Sequence, residues 1–174
     1  MNITVFCSSQ SKPGEPAYQE GMRLGRMIAS AGHTVLTGGY IGSMEAVSRG
    51  AAEAGGWVVG ITCDEIEAFR PGKANQWVQE ERRFSTIRQR LFALIDGCDA
   101  AYALPGGIGT LTEVSVMWSH LQTGVISPRR LVLIGSGWRE TMHTFWQVFD
   151  PYVPERHRAL LTFAPDVDAA LTMI

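Results

Sequence analysis

Residues 100–113 read AAYALPGGIGTLTE, and this stretch decides the fold. Its apolar beginning, residues 100–104, is typical of a buried strand, and apolar residues at helical spacing after Glu113 predict a helix. The glycine-rich turn between them, residues 105–110, leaves backbone N–H groups at the positive end of the helix dipole. Because this arrangement suits a phosphate group, the stretch predicts a binding site for a phosphorylated small molecule.

Strand and helix patterns alternate along the rest of the chain. Short apolar runs predict strands at residues 3–7, 34–37, 57–62, 131–134 and 161–163. Helical spacing and glycine or proline stop signals predict helices at residues 15–31, 43–54, 85–96, 110–123, 137–149 and 166–173. Residues 63–83 follow neither period and predict a long surface loop. The alternation predicts an α/β fold, a doubly wound Rossmann-like parallel sheet with helices on both faces, in one nucleotide-binding domain over residues 1–174.

Composition excludes several classes of function. Hydrophobic residues make up 45% of the chain and charged residues 18%, which is enough for a core and too little charge for a disordered protein. A net charge of −2 gives no electrostatic case for nucleic acid or for an anionic membrane. No apolar stretch approaches the roughly 20 residues that span a bilayer, and no basic leader precedes the first strand, so we expect a cytoplasmic protein. The three cysteines and four histidines lack metal-ligand spacing, and we expect neither a metal nor another cofactor.

Three segments of binding character follow predicted strands. They are residues 7–10 (CSSQ), residues 38–42 (GGYIG) and the turn 105–110. Since ligands of doubly wound sheets bind at the carboxyl ends of the strands, these segments should converge on one crevice. The substrate-binding residues expected there are Ser8, Ser9, Gly38, Gly39, Gly42, Met44, Pro105, Gly106, Gly107, Gly109 and Thr110. The GGYIG turn lacks the GxGxxG spacing of dinucleotide-binding proteins, and its glycines are equally consistent with a purely steric role.

Charged side chains complete the predicted site. In the helix 85–96, the apolar residues Ile87, Leu91, Leu94 and Ile95 define the expected buried face. Arg88 and Arg90 fall on the flanks of that face, where they either reach the crevice and bind substrate or lie along a solvated surface. Glu113 lies in the first predicted helical turn, where it either faces the bound phosphate or closes a capping box with Thr110.

Together these motifs resemble the LONELY GUY family, whose members are often labelled lysine decarboxylase-like. Residues 105–113 are similar to the family signature PGGxGTxxE, residues 6–9 to its first loop, and residues 38–46 to its second glycine turn. The resemblance implies a homodimeric hydrolase that cleaves the N-glycosidic bond of a cytokinin riboside 5′-monophosphate or an AMP-like nucleotide. The products are free base and ribose 5-phosphate. It also implies catalytic roles for Arg90, the arginine of a Met-His-x-Arg-Lys pattern, and for Glu113.

The chain departs from the family pattern next to both catalytic positions. Arg88 stands where the family has histidine, Leu91 where it has lysine, and Thr112 where it has an acid. The same fold serves nucleotide-binding and molybdenum-cofactor carrier proteins, so a non-hydrolytic carrier is the alternative function. A lysine decarboxylase is not expected, because Lys12 and Lys73 are the only lysines and both lie outside the glycine turns.

Two features leave alternatives open for the surface. Trp118, Trp138 and Trp146 either support the homodimer through a helical surface or belong to the core of one chain. The predicted loop 63–83, with Arg70, Arg82 and Arg83, either closes over the ligand or reaches a partner subunit.

Overall fold

The computed structural model describes all residues from 1 to 174 and contains a seven-stranded parallel sheet with helices on both faces. The strands are β1 (Asn2–Phe6), β2 (Thr34–Thr37), β3 (Val58–Cys63), β4 (Glu80–Phe84), β5 (Ala100–Ala103), β6 (Leu131–Ile134) and β7 (Leu161–Ala164). The helices are α1 (Pro16–Ser30), α2 (Ser43–Glu53), α3 (Asp64–Phe69), α4 (Ile87–Asp96), α5 (Ile108–Thr123), α6 (Ser136–Val148), α7 (Glu155–Arg158) and α8 (Val167–Leu171). The predicted α/β class is confirmed. None of the helices combines the length and apolar character that a membrane crossing requires.

The strand order, β4-β3-β2-β1-β5-β6-β7, creates one switch point. The chain winds outward from β1 to β4 and then returns to place β5 on the free side of β1. Phe6 pairs with Ala103, and the Leu104 N–H donates to the Phe6 carbonyl at 3.0 Å. The loops that follow β1 and β5 therefore leave the sheet side by side, in the position where doubly wound folds bind ligands.

Each face of the sheet is covered by an apolar cluster. On one face α1 and α2 contribute residues such as Leu24 and Val47, and on the other α4, α5 and α6 pack together. Trp138 and Trp146 are buried in the second cluster, and Trp118 packs against it. These tryptophans therefore serve the core of this chain, which removes them as support for a homodimer.

The prediction of a long loop over residues 63–83 is wrong. The segment contains the helix α3 and the strand β4, and only residues 70–79 between them are irregular. β4 has the sequence EERRF and pairs in parallel with β3 along its whole length. Because β4 is an edge strand with mostly exposed side chains, its sequence carries no hydrophobic alternation that would reveal it.

Helix α4 is rotated relative to the face expected from its apolar residues. Thr86, one residue after the predicted start of the helix at Ser85, caps the helix through a capping box with Gln89. Leu94 and Ile95 are buried as expected, whereas Leu91 is half-buried and Ile87 is 54% exposed. Arg90 turns inward instead, because its guanidinium finds a carbonyl acceptor at the end of β3.

Candidate functional site

A cavity of about 280 Å³ lies at the carboxyl end of the sheet, over the switch point between β1 and β5. Its size is at the lower end of the roughly 300–1,000 Å³ typical of ligand sites. The first loop contributes Cys7, Ser8, Ser9 and Gln10, and the second turn with α2 contributes Tyr40 and Met44. Opposite them lie Gly107, Ile108, Gly109, Thr110 and Glu113 at the start of α5. Arg90 of α4 and two residues from the α3 region, Ile66 and Arg70, complete the wall.

The start of α5 presents bare backbone donors to this cavity. Gly107 is the N-cap residue, and the first helical hydrogen bond joins the Leu111 N–H to the Gly107 carbonyl at 3.0 Å. The four N–H groups of residues 107–110 therefore have no backbone acceptor. Side chains added at Gly107 or Gly109 would extend into open space, whereas one at Gly106 would collide with Thr110. The positive end of a 16-residue helix is thus left open to an anion.

The capping box predicted between Thr110 and Glu113 does not form. Because α5 begins two residues earlier than expected, Thr110 is already the third helical residue, and no side chain caps the helix. Glu113 consequently lies in the second turn and faces inward, with only 9% of its surface exposed. Its carboxylate is free for another role.

Arg90 is buried against the second glycine turn, with 7% of its surface exposed. Its Nε donates to the Ile61 carbonyl at 2.8 Å, and its Nη2 lies 4.0 Å from the Met44 sulfur. A Cβ at Gly38 would overlap the guanidinium and approach the Met44 sulfur to 2.6 Å, so Gly38 provides the space that Arg90 occupies. The terminal nitrogens of Arg90 remain available to the cavity.

Glu113 faces Arg90 without a hydrogen bond to any protein group. The Arg90 Nη1 and Glu113 Oε1 atoms are 3.7 Å apart, which is an ion-pair distance and too long for a hydrogen bond. Removal of the carboxyl from water raises the pKa of Glu113 to about 7, and the opposing effect of Arg90 is smaller. A buried carboxyl that titrates near neutrality and lacks hydrogen-bond partners is typical of a catalytic acid or base.

Cys7 lies on the cavity wall and is not a suitable nucleophile. Its burial raises the pKa of the thiol well above the ordinary value, and the Glu113 carboxyl raises it further while Arg90 lowers it. The group therefore remains a neutral thiol, which is unreactive. No three His, Cys, Asp or Glu side chains lie close enough together to hold a metal ion.

Tyr40 of the second turn lines the cavity, whereas the glycines of that turn do not, and their substrate-binding role stays a prediction. The cavity is not lined by Gly38, Gly39 or Gly42. Gly42 has a φ of +77°, and a Cβ there would approach the Ser9 backbone to 2.5 Å. The Ser43 N–H donates to the Ser8 carbonyl at 2.8 Å, so this turn holds the first loop in place.

Three other residues expected in the crevice also lie outside the cavity. Arg88 is exposed on the outer side of α4, because the helix turns Arg90 inward. Pro105 and Gly106 line a neighbouring cavity of about 330 Å³ between the glycine turn and the start of α6. The cavity does bring together Ser8, Ser9, Met44, Arg90, Gly107, Gly109, Thr110 and Glu113.

Sequence reasoning missed the aromatic and apolar wall of the cavity. Tyr40 was visible within the GGYIG turn but was not distinguished from its glycine neighbours. Ile66 lies in α3, inside the segment expected to be irregular, and no sequence signal pointed to it. Ile108 follows the glycines and is mostly exposed at the mouth.

In sequence the chain is similar to proteins that are named phosphoribohydrolases. The profile of the SLOG cluster4 family matches residues 1–129. A protein of Oryza sativa subsp. japonica named a probable cytokinin riboside 5′-monophosphate phosphoribohydrolase is 30% identical over 169 residues, or 94% of this chain and 73% of the relative. A cytokinin riboside 5′-monophosphate phosphoribohydrolase of Rhodococcoides fascians is 32% identical over 123 residues, or 69% of this chain and 62% of the relative.

The solved structures that resemble this chain share its fold at lower identity. The molybdenum cofactor binding protein of Rippkaea orientalis superposes with a TM-score of 0.76 and 21% identity. The match covers 99% of this chain and 93% of that protein. At this identity the likeness establishes the architecture of the sheet and helices.

Proposed function

The chain belongs to the SLOG cluster4 family, with the cytokinin riboside 5′-monophosphate phosphoribohydrolases among its relatives, and on this premise we propose that it hydrolyses the N-glycosidic bond of a nucleoside 5′-monophosphate. The products are a free base and ribose 5-phosphate. One observation carries the proposal: the buried carboxyl of Glu113, which has no hydrogen bond to the protein, shares a small cavity with Arg90 and the open start of α5.

The 5′-phosphate would bind at the start of α5. The free N–H groups of residues 107–110 and the helix dipole both favour an anion there. Arg70 also lines the cavity and forms no salt bridge within the chain, so its guanidinium is available to the same phosphate. Ser8 and Ser9 would contact the nucleoside part, which must then extend towards Tyr40 and Met44.

The reaction would break the bond between C1′ of the ribose and the base nitrogen. The bonding electron pair leaves with the base, and positive charge develops on the ribose ring in an oxocarbenium-like transition state. The Glu113 carboxylate would take a proton from a water molecule whose oxygen bonds to C1′. The same proton would then pass to the nitrogen of the departing base, which restores the carboxylate. Arg90 would hold the carboxylate and stabilise negative charge on the leaving base.

The deciding experiment incubates the purified protein with AMP, other nucleoside monophosphates and isopentenyladenosine monophosphate, and measures free base by chromatography. Glu113→Gln should reduce the release of the free nucleobase about 10²–10⁴-fold, because it removes the carboxylate that acts as general base. Circular dichroism and the melting temperature should show that the variant remains folded. Full turnover by Glu113→Gln would exclude the proposed role of the carboxyl.

A non-hydrolytic carrier of a nucleotide or pterin-type cofactor is the second candidate. Arg88, Leu91 and Thr112 replace the neighbours that accompany the catalytic residues in the LONELY GUY pattern, which favours binding without turnover. A ligand that raises the melting temperature and is recovered unchanged, with no base released from any nucleotide, would support the carrier and oppose the hydrolase.

A further inference from the structure

Tyr40 is the one aromatic residue of the second glycine turn, and its ring lies under Arg90. The residue is buried, lines the cavity and has the Cζ atom of Arg90 5.8 Å from its ring centroid. This distance is within the range of a cation–π interaction. The ring therefore bounds a guanidinium that is otherwise held by one hydrogen bond from Nε to the Ile61 carbonyl.

The hydroxyl of Tyr40 is fixed by groups outside the cavity. It accepts a hydrogen bond from the Cys63 N–H at 2.8 Å. Two acceptors are within reach of its proton, the Cys63 carbonyl at 3.1 Å and the Glu67 Oε1 at 3.3 Å. Because one end of the side chain is anchored at the junction of β3 and α3, the ring cannot move away from Arg90 without breaking these bonds.

Glu67 is in turn held by the edge strand. Arg83 of β4 binds its carboxylate through two hydrogen bonds, Nη1 to Oε1 at 3.0 Å and Nη2 to Oε2 at 2.7 Å. The Nε of Arg83 also donates to Asp64 at 2.7 Å. A bidentate pair of this kind fixes direction as well as distance. A continuous series of contacts thus leads from β4 through Glu67 and Tyr40 to Arg90.

From these contacts we propose that Tyr40 is a positioning residue, which holds the Arg90 guanidinium within ion-pair distance of Glu113, and that Arg83 and Glu67 hold Tyr40. The kinetic consequence rests on the proposed hydrolase function, but the geometric consequence does not. The Gly38 backbone, which lies directly against the guanidinium, and the ring of Tyr40 leave Arg90 little freedom to turn from Glu113.

The geometric consequence is measurable in the protein without ligand. The titratable groups that face Glu113 are Arg90 of α4 and the thiol of Cys7 after β1, with Arg70 also on the cavity wall. Among them, Arg90 lowers the pKa of Glu113 against the effect of burial. If Arg90 is displaced, the pKa of Glu113 should therefore rise above its value in the natural chain.

The test compares four variants: Tyr40→Leu, Tyr40→Phe, Arg83→Gln and the control Arg82→Gln. Arg82 is the neighbour of Arg83 in β4, and it pairs with Glu80 at 2.7 Å, away from the cavity. The pKa of Glu113 is measured by carbon-13 NMR of glutamate-labelled protein, with Glu113→Gln identifying the signal. Values of kcat and KM are measured separately, and melting temperatures establish that each variant is folded.

We expect Tyr40→Leu to raise the pKa of Glu113 and to lower kcat roughly 10- to 100-fold, since a displaced catalytic group affects the chemical step. KM is judged in Arg83→Gln, because Arg83 does not line the cavity, and it should change less than about 3-fold there. Tyr40→Phe and Arg83→Gln should give smaller changes in the same direction, and Arg82→Gln should give none. A folded Tyr40→Leu or Arg83→Gln protein with an unchanged Glu113 titration would overturn the proposal. If no nucleotide is hydrolysed at all, the titration still decides the role of Tyr40, and only the hydrolase function fails.

Discussion

Two glycine-rich turns adjoin the cavity, and they use the same residue for different purposes. In the turn 105–110, Gly107 and Gly109 face open space beside unpaired N–H groups. In the turn 38–42, the space beside Gly38 is filled by Arg90 and that beside Gly42 by the first loop. A glycine motif therefore does not by itself identify a ligand site. What distinguishes the two turns is whether protein atoms already occupy the volume that a side chain would take.

Among the tests of this difference between the two turns, Gly38→Ala should have the largest effect. The new methyl group would overlap the guanidinium, so Arg90 must move from Glu113, and we expect kcat to fall about 10²-fold. Overpacking of this kind also costs about 1–3 kcal/mol of stability. Activity and the melting temperature are measured together. Unchanged values of both would mean that the space beside Gly38 is not needed by Arg90.

The carboxyl that Arg90 faces gives the next test, through pH. If Glu113 acts as the base, kcat/KM should rise about 10-fold per pH unit below pH 7 and level off above it, because the pKa of Glu113 is about 7. A profile that is flat from pH 5 to pH 8 would contradict the assignment. Initial rates at limiting substrate report the pKa of Glu113 in the free protein, and rates at saturating substrate report its pKa in the complex with substrate.

Stability provides a control for this pH dependence that needs no substrate. The folded protein favours the neutral carboxyl of Glu113, so its contribution to stability is present below the unfolded pKa and is lost as pH rises to about 7. The unfolding free energy of the natural chain should fall between pH 5 and pH 8, relative to that of Glu113→Gln, by on the order of 3 kcal/mol. Parallel denaturant titrations measure the difference.

Gly109→Ala should have the smallest effect. It tests the turn 105–110 by a change in substrate binding that is not accompanied by a loss of stability. The methyl group has room, and alanine is preferred over glycine in a helix by about 0.5–1 kcal/mol, so the variant should be at least as stable as the natural chain. Because the methyl group enters the proposed phosphate site, KM should rise roughly 5-fold.

Gly137→Ala is the matched control for that variant. Gly137 is also the second residue of its helix, α6, and a Cβ there meets no other atom within 4 Å. It lies outside the Glu113 cavity, so its KM should not change. Equal effects of the two substitutions on KM would contradict the proposal that the turn 105–110 binds the phosphate.

Much of the architecture could be predicted because the central strands are buried on both faces. β2 and β6 have the predicted bounds, since each is a short apolar run between polar or turn residues. The edge strand β4 could not be found in this way, because its four charged residues are at least partly exposed and pair with charged side chains of opposite sign. The family resemblance is confirmed, and it depends on local motifs that need no long-range information.

Site residues that belong to a local sequence motif could be predicted. Site residues whose positions depend on packing between distant segments could not. Arg90 and Glu113 lie in recognisable motifs, and the structure brings them to one cavity, while their catalytic roles stay predictions. Arg88 lies two residues away from Arg90, and because the Arg90 guanidinium turns inward to the Ile61 carbonyl, Arg88 lies on the exposed side of α4. The position of the Tyr40 side chain depends on contacts with Glu67 and, through it, Arg83. Both residues lie in a segment whose sequence predicted neither a helix nor a strand.

The charged edge strand has a consequence for how copies of this protein meet one another. An uncovered strand at the end of a sheet offers unpaired backbone groups to any other strand, and this is a common route to aggregation. The consecutive charges Glu80, Glu81, Arg82 and Arg83 make a further strand costly to add, because its side chains would have to lie beside them. The residues that end the sheet at β4 thus also oppose the pairing of this edge with a strand of a second copy.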